Sequence, residues 1–137
     1  AHRGLTNVTA KDIASIELSE AVDIGVQTYY LAPGFDKLLW DLVTASIVDK
    51  AWLSGPGQAI KLLQRMIGAK DDGRLGPATA QAYASWRKGR SEADAAVQWC
   101  EVRKAFDARL NQPENINGWN NRTNSFLPGT KWWIANA

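Results

Sequence analysis

The chain has 137 residues, enough to bury a core without disulfide or metal staples. Hydrophobic residues make up 45% and charged residues 22%, the balance of an ordinary globular domain. A net charge of +2 with a pI near 8.8 excludes the dense basic face of a nucleic-acid binder, no apolar run reaches membrane-spanning length, and one cysteine with one histidine excludes an internal disulfide and an all-protein zinc site.

Taken in chain order, the sequence predicts helices throughout. Thr9 suits the N-cap of a short helix over Ala10–Ile16, and Ser19 that of a longer one to about Leu31, stopped by Pro33-Gly34. Over Phe35–Ser54, Phe35, Leu38, Leu39, Leu42, Val43, Ile47 and Ala51 make one helical stripe, while Trp40, Val48, Trp52 and Leu53 add apolar surface elsewhere. A helix apolar most of the way round reads as a buried central helix. Pro56 then opens a helix that ends at Gly68, and Lys70-Asp71-Asp72-Gly73 forms a tight turn. Pro77 starts the next helix, which runs to about Lys88 with Gly89 after it. Ser91-Glu92-Ala93-Asp94 has capping-box-like spacing, and Ala95, Trp99, Val102, Phe106 and Leu110 recur at intervals of three and four. A polar, Asn-rich helix follows over Glu114–Phe126, then a tail carrying Trp132 and Trp133. No segment alternates long enough to make a strand. The expected fold is all-α or nearly so, a single helical domain over residues 1–137 with a buried central helix.

Seven tryptophans are the compositional oddity. Tryptophan fills cores, and its flat polarisable face also stacks on pyranose rings. Asp49 lies among apolar neighbours on the central helix, where a carboxylate must be ion-paired, hydrogen-bonded or functional. Pairing with a Lys or Arg is the commoner outcome. Glu17 and Glu20 read as helix-terminal charges, and Arg87, Lys88 and Arg90 as cations at the negative end of a helix dipole. Cys100 falls on the apolar side of its helix and reads as a buried, inert thiol.

Three motifs in order carry a resemblance. Ser54-Gly55-Pro56-Gly57-Gln58-Ala59-Ile60-Lys61-Leu62-Leu63-Gln64 is similar to the segment opening the peptidoglycan-binding half of the family 108 glycoside hydrolases, lysozyme-like muramidases of phages and bacterial secretion operons. Asp72-Gly73-Arg74-Leu75-Gly76-Pro77-Ala78-Thr79 resembles their D-G-x-x-G-P-x-T turn, and Gly118-Trp119-Asn120-Asn121-Arg122 their G-W-x-N-R. Gly4-Leu5-Thr6 resembles the G-I-[TS] that closes the family's catalytic loop. Two positions depart from the pattern: Leu53 stands where Asn is usual, and Arg3 where an aromatic is.

The resemblance implies a lysozyme-like helical fold, a peptidoglycan-binding part over residues 36–126, and peptidoglycan glycan strands as the partner, with no cofactor. It implies a place in the periplasm or cell wall, reached by export or phage-mediated release, since no signal peptide precedes Ala1. The family's catalytic Glu sits in an E-G-G motif, which this sequence does not contain, so no catalytic residue carries over. The substrate-binding candidates are Trp119, Asn120, Arg122, Trp52 and Asp49. Trp119, Asn120 and Arg122 combine a stacking face with amide and guanidinium donors suited to glycan hydroxyls and acetamido groups. Their structural alternative is that Trp119 docks its segment on the core while Arg122 bonds a helix end; Trp52 either lines the same groove or packs. The D-G-x-x-G-P-x-T turn reads as structural, with Thr79 bonded within its helix. Three functions stay open: the larger part of a muramidase, a non-catalytic wall-binding protein, or an interaction protein of a phage or secretion system on the same scaffold.

Overall fold

A computed structural model describes residues 24–129. Among them every regular element is helical. A π-helical turn at Gln27–Leu31 and a 3-10 turn at Phe35–Lys37 precede five α-helices: α1 (Leu42–Ser54), α2 (Pro56–Ile67), α3 (Pro77–Arg87), α4 (Glu92–Arg109) and α5 (Pro113–Asn124). The helix expected at Ala10–Ile16, the Gly4-Leu5-Thr6 element, Glu17, Glu20 and the Trp132-Trp133 tail lie outside the described residues.

The centre of the fold is α1, which packs on α2, α4 and the π-helical turn. Val43, Ile47 and Ala51 point into a core shared with Phe35, Leu63, Ala95 and Trp99, all fully buried. Each such large side chain contributes about 1.5–3 kcal/mol by leaving water.

The central helix is shorter than its stripe predicts. After Pro33, Gly34 takes φ 98°, where a β-carbon would lie 2.9 Å from the Leu75 carbonyl oxygen, so only glycine fits this turn. Phe35–Lys37 makes one 3-10 turn, and Leu38 is extended. The α-helix begins only where Asp41 caps it, its Oδ1 accepting from the backbone N–H of Val43 and Thr44 at 3.0 and 3.2 Å. The other Asp41 oxygen accepts from Arg87 Nη1 at 2.6 Å. The basic cluster at the end of α3 therefore does more than meet a dipole: Arg87 ties α3 to the start of α1. Arg90 lies over the Trp86 ring, 4.5 Å from its centre.

The two glycine-proline motifs form one device. Gln64, buried near the end of α2, accepts from Gly73 N–H at 2.9 Å. Its Nε2 lies 2.9 Å from both Asp72 Oδ1 and the Arg74 carbonyl oxygen and 3.0 Å from Thr79 Oγ1. That is one more acceptor than the amide has protons, so one hydrogen is shared. The turn is structural, as its residues predict. Thr79, however, bonds Gln64 and the Arg74 carbonyl rather than its own helix.

Ser91 Oγ caps α4 by accepting from Asp94 N–H at 3.1 Å. The predicted α4 stripe buries Ala95 and Trp99, half-buries Val102 and Phe106, and leaves Leu110 exposed. Cys100 is buried, donating to the Thr123 carbonyl at 3.5 Å, and burial pushes its thiol pKa up. No described helix is long and apolar enough to cross a membrane.

Candidate functional site

On α1, Ala45, Val48, Asp49 and Trp52 are spaced i, i+3, i+4 and i+7 and so share one face. Among the described residues this face is only partly covered: Ala45 is buried, Val48 and Asp49 are half-buried and Trp52 is exposed. The face borders an open cleft of about 640 Å³ that is also lined by Tyr29, Tyr30, Trp40 and Phe126. The helix is the buried centre of the fold, as expected, and its second apolar face borders the cleft. Trp40 and Trp52 remain 59% and 57% exposed. Tyr29 meets Trp52 edge-on with ring centres 4.7 Å apart, and Tyr30 meets Trp40 at 5.7 Å with planes at 89°. These edge contacts fix the tryptophans and leave much of each ring open to solvent.

Beside Phe126 stands a charged cluster. Arg122 grips Asp49 through two nitrogens, Nη2 at 2.6 Å from Oδ1 and Nε at 3.1 Å from Oδ2. Arg103, only 1% exposed, donates from Nη2 to Asp49 Oδ2 at 3.0 Å and from Nη1 to Ser46 Oγ at 3.0 Å. Asp49 is thus ion-paired, the commoner of the two outcomes for a carboxylate on a central helix. These bonds also raise the Arg122 pKa still further above neutrality. Beyond Asp49 and Phe126 a second depression of about 520 Å³ opens, lined also by Asn121, Arg122 and Ser125.

The next residue of α1 serves a different place. Lys50 is buried against α4, its Nζ 3.1 Å from Asp107 Oδ1 and 4.0 Å from the centre of the Phe106 ring. Burial pushes its pKa below the usual lysine value, against the opposing pull of Asp107. Trp119 belongs to this region. With Lys50, Leu53, Arg103, Asp107 and Leu110 it lines a separate small cavity of about 130 Å³.

The predicted site residues therefore divide. Trp52, Asp49 and Arg122 come together at the cleft, whereas Trp119 lies in the other cavity. Asn120 is half-buried, and its side-chain oxygen is buried with no protein partner among the described residues. Tyr29, Tyr30, Trp40, Phe126 and Asn121 line the cleft or its extension without having been singled out. The i, i+3, i+4, i+7 spacing ending at Trp52 was the signal available for the cleft face. Among the described residues no group of His, Cys, Asp and Glu is arranged to hold a metal ion.

No protein-family model matches the chain, and no curated protein matches it. Among solved structures it is similar to Brucella abortus SagA, with a TM-score of 0.61 at 21% identity, over 90% of this chain and 72% of that one. At that identity the likeness is one of fold.

Proposed function

We propose that this chain binds the glycan strands of peptidoglycan along the cleft between the π-helical turn and α1. The observation that carries the reading is the cleft's chemistry: two solvent-facing indole rings held edge-on by tyrosines, with amide and guanidinium donors at one end. Flat aromatic faces bury the apolar side of a pyranose ring, and a few polar groups orient its substituents. The motifs at Gly55, Gly73 and Trp119, which resemble those of family 108 glycoside hydrolases, support peptidoglycan over other glycans and a working place in the periplasm or cell wall. In this reading residues 36–126 form the wall-binding part, with Trp52, Trp40, Asp49 and Arg122 at its centre and Trp119 and Asn120 in supporting positions.

The finer reading makes the protein part of a muramidase of the endolysin type. Glycoside hydrolysis requires a proton-donating carboxyl beside the bond to be broken. Asp49 is the one acid among the described residues lining the cleft, and both its oxygens accept from guanidinium groups. The muramidase reading therefore assigns the proton donor to another residue.

Co-sedimentation with insoluble peptidoglycan tests binding. The expected result is retention of the wild type and loss on Trp52→Ala or Trp40→Ala with the fold intact. A wild type that stays in the supernatant would refute the reading. Clearing of a purified wall suspension tests hydrolysis separately. One observation favours a second reading, an interaction protein of a phage or secretion system: Leu39, next to Trp40 in sequence, is 66% exposed, apolar surface beyond what a sugar needs. That reading predicts no retention on the wall.

A further inference from the structure

Among the described residues, the charges around the cleft do not cancel. Lys50 and Asp107 pair off on the α4 side. Asp49 is left facing two guanidinium groups, Arg103 and Arg122, so one positive charge is in surplus. Arg103 is sealed in, with its Nη groups committed to Ser46 and Asp49. The Arg122 side chain is 46% exposed. Its Nε and Nη2 are used on Asp49, while Nη1 makes no hydrogen bond among the described residues. The surplus therefore surfaces at Arg122, in the depression that continues the aromatic cleft past Asp49 and Phe126.

Resting on the glycan-binding reading, we infer that Arg122 is a specificity residue that recognises a carboxylate carried by the bound strand. Peptidoglycan bears carboxylates on the peptides attached to alternate sugars, whereas chitin, the other common polymer of N-acetylated amino sugars, is neutral. Aromatic stacking alone treats the two backbones alike. A guanidinium already oriented by Asp49 and presenting a free N–H edge distinguishes them, because a charge-assisted hydrogen bond from a pre-positioned donor costs little ordering entropy. Asp49 fixes the side chain without cancelling the local surplus, since Arg103 offsets its charge from behind.

Calorimetric titration with three soluble probes tests this: a muropeptide tetrasaccharide with free carboxylates, the same compound with its carboxylates amidated, and chitotetraose. The wild type is expected to bind the free-carboxylate form about tenfold more tightly than the amidated form, the scale of one charge-assisted contact. That preference should shrink as salt is raised. Arg122→Gln should lose the preference and bind the two muropeptides equally, while Arg122→Lys should keep part of it. Equal wild-type affinity for the two muropeptides, or a preference that survives Arg122→Gln, overturns the inference and leaves glycan binding standing. Failure of the wild type to bind any probe overturns both. The wild-type comparison needs no variant, so it stands even if Arg122→Gln folds poorly.

Discussion

Replacing Asp49 with alanine should be among the most damaging single changes available in α1, although the residue sits beside an open cleft. The reason lies behind it. Arg103 is sealed from solvent, and Asp49 is the charged partner of its Nη2. Removing one member of a buried ion pair strands the other charge, at a cost of about 3–5 kcal/mol. Arg122→Ala breaks the same carboxylate's other pair, but that guanidinium is half in solvent and Asp49 keeps Arg103. Its cost should be about 1 kcal/mol or less. With a urea m-value of about 2 kcal/mol/M, the alanine at 49 should lower the unfolding midpoint by about 2 M and the alanine at 122 by about 0.5 M or less. Tryptophan fluorescence reads both transitions, since Trp99 is buried and Trp52 is exposed. A double replacement, Asp49→Leu with Arg103→Met, removes both charges and should recover much of the loss. The reasoning fails if Asp49→Ala costs no more than Arg122→Ala, or if the double variant is no more stable than Asp49→Ala.

Gln64→Glu should destabilise by about 2–3 kcal/mol, because it trades donors for a carboxylate facing Asp72 and the Arg74 carbonyl. The penalty should be smaller near pH 4 than at pH 7 by denaturant titration, as protonation of one acid relieves the repulsion. Asp72 itself has a pKa held below the usual 3.8 by the Arg74 backbone N–H and by Gln64. A depressed folded-state pKa means that the unfolded chain binds the proton first. Its contribution is therefore complete above pH 3.8 and is lost as pH falls through the folded value, and Asp72→Asn should flatten the acid limb of the stability curve. Tyr83 has the opposite sense at the alkaline end: burial raises its pKa above 10, so the unfolded chain loses its phenolic proton first. Stability should fall as pH climbs above 10, less so in Tyr83→Phe, by thermal melting. The buried Cys100 thiol, its pKa raised by desolvation, should resist a disulfide exchange reagent at pH 8 in the native protein and react promptly in urea.

Much of the fold was legible because helical periodicity and punctuation agree. Pro56, Pro77 and Pro113 each occupy the first turn of a helix, and Gly68 ends α2 with φ 75°. The start of α1 was not legible from its apolar stripe, since Phe35 and Leu38 are buried from a 3-10 turn and an extended residue as readily as from a helix. Asp41 carried the better signal, a capping carboxylate two residues ahead of the N–H it accepts. The buried polar residues were the least predictable. Arg103 and Asp107 lie one turn apart on α4, a spacing at which an Arg and an Asp can pair on a solvated helix face. Instead each reaches inward to α1, Asp107 to Lys50 and Arg103 to Asp49. Nothing local specifies an inward charge; only the facing helix does.

That facing helix also explains why the candidate site residues fall in two places. Asp49 and Lys50 are neighbours in sequence, but successive residues on an α-helix point about 100° apart. One turns to the aromatic cleft and the other to the cavity between α1 and α4. The G-W-x-N-R segment of α5 spans the same divide, so Arg122 follows Asp49 while Trp119 follows Lys50. Motif membership grouped Trp119 with Arg122, whereas the geometry of α1 separates them. The cleft was instead written in α1 itself, in the second apolar face that runs from Ala45 through Val48 to Trp52. A second apolar face on a core helix is a surplus that burial alone does not use, and here it leads to an open aromatic groove.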